Sequence, residues 1–315
     1  MATKSRPRFG SLQFWPRKRT RKFLPSVNWD VIKGENLLGF IGYKVGMISC
    51  MVKDNTPDSR SKGQKISIPA TVVETPGMRI LSVRFYKFGK VAKEILNDNL
   101  DRGLKKVLKI PKESKKPNLD EIKDYDDIRI LVYSDAKKTG IKKVPDITEI
   151  GLPGSVDKKL EFAKAHLGKE IFVADILKPL QLVDVRGLTK GKGLSGPVKR
   201  FGITFKSHKS EKGVRRPGSL APWHPHRVTF RAPMAGQLGM FTRVIYNNKI
   251  LGIGKIHEKN INPSSGFKKY GVIKTDYVIL DGSVQGPQKR QVLLTAAMRP
   301  TKKQLKKNYE LIKVI

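Results

Sequence analysis

A chain of 315 residues with 64 lysines and arginines against 27 acids carries a net charge of +37, which is self-repulsive until a polyanion supplies the countercharge. No apolar run approaches the ~20 residues of a membrane helix, and the amino terminus lacks the apolar core of a signal peptide. The single cysteine, Cys50, excludes an intrachain disulfide and a Cys-based zinc site. The composition therefore points to an intracellular nucleic-acid binder, cytoplasmic or nuclear.

Residues 1–35 read as a basic arm. Arg6, Arg8, Arg17, Lys18, Arg19, Arg21 and Lys22 occur with no acid before Asp30, among Phe9, Phe14, Trp15 and Phe23. Prolines 7, 16 and 25 keep such a segment extended, and its aromatics are unusual for a solvated tail. The basic residues and Trp15 are candidate RNA contacts.

Residues 36–96 change texture. The glycine-punctuated run Leu37–Val52 reads as buried strand with tight turns, and Ile66–Glu74 and Arg79–Phe88 read as further strands. Residues 97–168 hold about half of all the acids, including the run Asp120–Asp127. They are expected to form a small mixed α/β insert with a strand at Ile128–Tyr133 and a helix at Lys158–Leu167, closed by Gly168. The acidic run lacks the calcium-loop pattern and reads as a solvated face.

Strands are next expected at Glu170–Ile176 and Leu180–Val185, within residues 169–186. In residues 244–298 they are expected at Val244–Tyr246, at Ile250–Ile256 after an Asn247-Asn248 turn, at Val272–Leu280 and at Val292–Ala297. Many short strands parted by turns predict a mainly β fold, an antiparallel β-barrel with the α/β insert. Residues 299–315 form a basic tail with helical spacing at Leu305, Tyr309 and Ile312.

Between these strands lie residues 187–243, which have little periodicity, recurrent Gly and Pro, and Glu211 as the one acid. Their cations are Lys190, Lys192, Lys199, Arg200, Lys206, Lys209, Lys212, Arg215, Arg216, Arg227, Arg231 and Arg243. Loops beyond about 12–15 residues are uncommon in compact domains unless functional or disordered, so this one is expected to be ordered by RNA. The glycines near Lys190 and Lys192 do not make a nucleotide-binding P-loop, because Gly193 stands where Ser or Thr should hold magnesium. They are expected to let the backbone approach an RNA phosphate. A structural zinc site wants four ligands, and beside His208, His224 and His226 no Cys or acid lies nearby except Glu211. Trp223-His224-Pro225-His226 reads instead as a rigid aromatic tip, on which unpaired bases stack. No nucleophile elbow, Cys–His pair or spaced carboxylate pair marks a catalytic centre. No metal, cofactor or small-molecule substrate is expected.

Several of these residues carry a resemblance. Gly39-Phe40-Ile41-Gly42-Tyr43-Lys44-Val45-Gly46-Met47, Thr189-Lys190-Gly191-Lys192-Gly193, Gly196-Pro197-Val198-Lys199-Arg200-Phe201-Gly202, Trp223-His224-Pro225 and Ala235-Gly236-Gln237-Leu238-Gly239 stand in that order. Together the chain resembles the universal large-subunit ribosomal protein L-three family over nearly its whole length. Trp-His-Pro is similar to the archaeal and eukaryotic branch, and the modest length and spare tail favour an archaeal source. Two departures are Phe201, where the family pattern has Trp, and Met240-Phe241, where a more polar pair is usual.

The resemblance implies a translation-protein-type β-barrel with a long basic loop and an N-terminal extension, no enzymatic activity, and a place in the cytoplasmic ribosome. It implies large-subunit ribosomal RNA and neighbouring large-subunit proteins as partners, a part in early subunit assembly, and a loop carrying Trp223 towards the peptidyl transferase centre. His224 and His226 would flank the tip, and Phe201 would keep a stacking ring. Composition alone leaves open an RNA-modifying enzyme or a DNA- or RNA-compacting architectural protein.

Overall fold

A computed structural model of the chain describes residues 11, 13–111, 118–119, 122 and 124–315. The chain divides into two units: the described residues up to Lys22 with Leu188–Thr242, and Phe23–Gly187 with Arg243–Ile315. In chain order the strands are β1 (Gly39–Asp54), β2 (Lys65–Glu74), β3 (Met78–Lys87), β4 (Lys90–Leu96), β5 (Asp127–Ser134), β6 (Ile147–Gly151) and β7 (Glu170–Ile171). There follow β8 (Leu182–Leu188), β9 (Leu194–Ser195), β10 (Gly236–Gln237), β11 (Thr242–Lys255), β12 (Asp276–Asp281), β13 (Gln291–Ala296) and β14 (Tyr309–Val314). Helices are short: α1 (Ala136–Thr139), α2 (Val156–His166), α3 (Val173–Ile176), α4 (Pro197–Phe201) and α5 (Lys302–Lys306).

The larger unit is mainly β, and its strand pairings are antiparallel. Seven strands pair in the order β13-β8-β11-β12-β2-β1-β14, and β13 also pairs with β1, Gly39–Tyr43 lying opposite Gln291–Thr295. A second sheet has the order β4-β3-β5-β6, with β7 on β3. One apolar core serves both sheets: Phe40, Ile41, Val73 and Leu293 from the first, with Ile80, Val83, Ile128 and Ile130 from the second. A second cluster gathers Val45, Cys50, Val72, Leu251, Tyr277 and Ile279.

Several elements differ from the sequence expectation, each for a local reason. The run after Leu37 is one 16-residue strand without turns. A Cβ at Gly42 would lie 2.5 Å from Val73 Cγ1, so that glycine serves close approach of β2. Register against β2 shifts between Lys44 and Gly46, a bulge. Residues 36–96 divide between the two sheets, and residues 97–168 are no separate module, because β5 and β6 extend the sheet begun by β3. The strand expected through Ile176 stops at Ile171: Asp175 Oδ2 accepts from the Phe172 amide at 3.3 Å and α3 begins.

Asn247-Asn248 does not turn the chain either. β11 runs through both residues, with Asn247 left-handed at φ 58° and its amide donating to the buried Asp184 Oδ1 at 2.8 Å. Asn247 Nδ2 donates to Arg299 O and Asn248 Nδ2 to Asp281 O, both at 2.9 Å. The carboxy-terminal helix ends at Lys306, and Tyr309–Val314 pairs as β14 with β1, burying part of Tyr309, Leu311 and Val314 against the second cluster. Lys249, nearly buried, holds that turn by donating from Nζ to Leu305 O and Lys307 O.

The arm is shorter than the sequence suggests. Leu24, Trp29 and Ile32 are buried in the main core. Trp29 fills the space left by Gly39 and Gly151, where a Cβ would lie 2.9 Å and 2.6 Å from it. In the described part of the acidic run, carboxylates are paired within the unit: Asp124 with Lys87, and Asp127 with Arg129 and Lys159. Asp126 Oδ2 accepts from the Phe88 amide at 2.7 Å.

Asp54 ties down the loop between β1 and β2. Its carboxylate accepts from Ser61 Oγ at 2.6 Å, Ser59 Oγ at 2.7 Å and the Thr56 amide at 2.9 Å. These bonds, led by the one from Ser61, hold its pKa well below the usual carboxylate range. A depressed carboxylate stabilises the fold above its unfolded pKa, and that stabilisation disappears as pH falls through the folded pKa. The protection of amides in residues 55–64, taken relative to the intrinsic exchange rate at each pH, is therefore expected to hold from neutrality to about pH 4 and to fall below it. In Asp54→Ala it should be low throughout; equal protection in the variant and the parent would contradict this account.

Candidate nucleic-acid interface

The smaller unit is built on a clasp of two antiparallel segments. The Thr189 amide donates to Phe241 O at 3.0 Å, the Lys192 amide to Leu238 O at 2.9 Å and the Leu238 amide to Gly193 O at 2.9 Å. β9 and β10 then pair Leu194 with Gln237 and Ser195 with Gly236. Gly239, left-handed at φ 79°, sits so close that a Cβ would lie 1.9 Å from Lys190 O. Gln237 Nε2 donates to Leu238 O and Gly239 O, both at 3.1 Å. The glycines of both motifs thus serve two uses. Gly191 and Gly239 let one chain segment approach the other. Gly193, at φ 60° and with open space for 4 Å around an added Cβ, supplies a turn.

A second knot forms around α4. Gly196 precedes it, Pro197 opens it, and Gly202 closes it at φ 66° with its amide donating to Val198 O. Phe201, 3% exposed, stacks on Trp15 with centroids 5.9 Å apart at 24°. The Arg17 guanidinium lies 4.2 Å from its ring centroid, and Trp15 meets Phe230 edge-on at 5.5 Å. Arg200 donates to Met234 O at 2.9 Å, Gln237 O at 3.0 Å and Arg17 O at 3.3 Å. Arg17 returns a bond to Arg200 O at 2.9 Å. Partial burial pulls the Arg200 pKa down from its ordinary value.

This arrangement changes the roles expected for four residues. Trp15, Arg17, Arg200 and Phe201 hold the arm segment, α4 and the β10 region together, and Phe201 has no open face for a base. Sequence spacing does not reveal the knot, because Trp15 and Phe201 lie far apart in the chain. The sole hint is that an aromatic ring stands at both positions.

The remaining candidates divide by exposure. Lys18, Arg19, Arg21 and Lys22 are exposed in the arm, and Lys190, Lys192 and Lys199 near the clasp. Lys206, His208, Lys209, Lys212, Arg215, Arg216, Arg227 and Arg231 are exposed along the rest of the segment. Arg243 is partly buried at the start of the larger unit's share of β11. Arg6 and Arg8 lie outside the described residues. The Lys206 amide donates to Val214 O at 3.0 Å, which brings Phe205, 58% exposed, beneath Arg215 at 5.0 Å. The Phe205–Arg215 pair thus joins the exposed set, a pairing that spacing along the chain does not disclose.

At Trp223 the ring is 78% exposed. His226 lies 5.0 Å from it, and His224 lies 5.0 Å from His226, both edge to face. Among the described residues no group of three or more His, Cys, Asp or Glu side chains is placed to hold a metal, and none of the helices is long and apolar enough to cross a membrane. A surface of exposed cations and open rings is suited to neutralising phosphates and stacking bases.

The comparisons with known proteins agree on one family. The family described as "Ribosomal protein L3" matches residues 1–314. The chain is 40% identical over 311 residues to "Large ribosomal subunit protein uL3" of Archaeoglobus fulgidus, covering 94% of this chain and 93% of the relative. To the protein of the same description from Methanocaldococcus jannaschii it is 39% identical over 310 residues, covering 94% and 92%. To that from Methanothrix thermoacetophila it is 40% identical over 314 residues, covering 95% and 93%.

Proposed function

The chain belongs to the ribosomal protein L3 family, and on that premise we propose that it is a structural constituent of the large ribosomal subunit, bound to ribosomal RNA. The observation that carries this is the smaller unit: a clasped base, a surface of exposed lysines and arginines, and Trp223 open to solvent. Lys190, Lys192, Lys199, Lys206, Lys209, Lys212, Arg215 and Arg216 neutralise phosphates, with Lys18, Arg19, Arg21 and Lys22 doing so in the arm. Trp223 stacks on an unpaired base, flanked by His224 and His226. The protein performs no chemistry; it supports assembly and organises RNA near the peptidyl transferase centre, in the cytoplasmic ribosome, beside other large-subunit proteins.

The family's β-barrel is the natural description of the six strands β13-β8-β11-β12-β2-β1, since β13 pairs with β1 as well as β8 and leaves β14 outside that ring. In this reading residues 187–243 are the barrel's long RNA-binding loop, residues 1–22 the extension proper, and residues 299–315 a tail pinned through Lys249.

Trp223→Ala tests the tip. With 78% of Trp223 exposed, little packing is lost, so the melting temperature should stay within about 2 °C, as for a surface substitution worth under ~0.5 kcal/mol. Losing one stacked base, worth ~1–3 kcal/mol, should lower the yield of mature large subunits or slow peptide-bond formation. Wild-type values for both would contradict the tip's role.

A further inference from the structure

Near the carboxy-terminal end of the larger unit, a groove of about 420 Å³ opens beside β14. Its apolar walls include Ile48 from β1, Ile261 and Phe267 from the segment between β11 and β12, and Ile312, Val314 and Ile315 from β14 and the residue after it. Ile312 and Ile315 are 41% and 63% exposed. β14 ends the pairing order of its sheet, joined to β1 on one side and to no strand on the other among the described residues. Lys259 and Lys313, both exposed, lie at the groove, and no acid lines it.

We propose that this groove docks an extended segment of a neighbouring protein whose aliphatic side chains are flanked by aspartate or glutamate. The walls favour that occupant over RNA. Besides the two lysines they are apolar except for Asn260 and Asn262, and their one ring, Phe267, is partly buried, so they present neither a row of open rings for bases nor the closely spaced arginines and lysines that follow a phosphate backbone. Aliphatic side chains entering the groove gain by leaving water. Acids beside them meet Lys259 and Lys313 on a chain whose net charge of +37 steers acidic partners inward. A strand laid along β14 would also find unpaired backbone groups, the usual basis of strand addition. The ribosomal reading enters only in saying where the neighbour is to be sought.

The test places the photoreactive residue p-benzoylphenylalanine at position 312 in the full chain, assembled into large subunits in cells. Irradiation should join position 312 to one protein peptide that carries aliphatic residues next to acids. Lys259→Glu combined with Lys313→Glu should reduce that product at least fivefold. Both lysines are exposed, and circular dichroism and melting of the purified variant confirm that it folds. Cross-links to ribosomal RNA, to scattered proteins or to none overturn the proposal, as does a product insensitive to the charge reversal. The two readings fail separately. A chain missing from the subunit removes the ribosomal role together with this proposal, whereas a chain present without the protein cross-link removes this proposal alone.

Discussion

Replacing Lys206, Lys209, Arg215 and Arg216 together by glutamine is expected to weaken binding to large-subunit ribosomal RNA by about two to three orders of magnitude at physiological salt. All four side chains are exposed in the smaller unit. Their backbone is tied by the Lys206 amide to Val214 O rather than by the charges themselves, so the loop should keep its shape. Each neutralised phosphate adds roughly 0.7–0.9 to the log–log salt slope, so losing four contacts should flatten it by about 3. Measuring affinity from 50 to 500 mM salt separates two outcomes. A lower affinity with a flatter slope is the expected result. A lower affinity with an unchanged slope would mean that the fold was damaged and that these residues touch no phosphate.

The second large effect is expected at Gly239. In Gly239→Ala the new methyl would lie 1.9 Å from Lys190 O, at a backbone φ of 79°. The left-handed conformation alone costs a non-glycine residue roughly 1–2 kcal/mol. The overlap with a backbone atom cannot be relieved by turning a side chain, so the segments 189–195 and 236–241 must part. Amide exchange at Lys192, Leu238 and Thr189 should accelerate at least tenfold, and RNA affinity should fall although no cation has been removed. Gly193→Ala is the matched control. Its φ of 60° brings the same backbone cost, but nothing lies within 4 Å of the added methyl, so the clasp should hold. Equal effects of the two substitutions would show that closeness to Lys190 is irrelevant.

The contrast between those glycines shows what sequence can and cannot disclose. Alternation marks β3, short apolar runs bounded by turns mark β2, β5 and β13 closely, and the spacing of Leu160, Ala163 and Leu167 marks α2, because each pattern is local. Glycines and asparagines mislead where tertiary contacts set their role. Gly42 makes room for Val73, and Asn247 turns its amide to the buried Asp184, so neither ends a strand. Trp29 reads as part of a basic arm because its partners, Gly39 and Gly151, are remote in sequence.

The candidate interface divides in the same way. Its cations are legible from charge density, and the exposure of Trp223 from the prolines and the lack of an apolar run around it. Arg200 and Phe201 carry the same residue types as their exposed neighbours, yet they close on Arg17 and Trp15. Composition cannot distinguish an arginine that donates to three carbonyls of its own chain from one that awaits a phosphate.

The measurement that bears most directly on the account is ultraviolet cross-linking in intact cells, followed by sequencing of the nucleic acid attached to peptides containing Trp223. Adducts are expected at one place in large-subunit ribosomal RNA. Adducts scattered over many RNAs, or found on DNA, would contradict it.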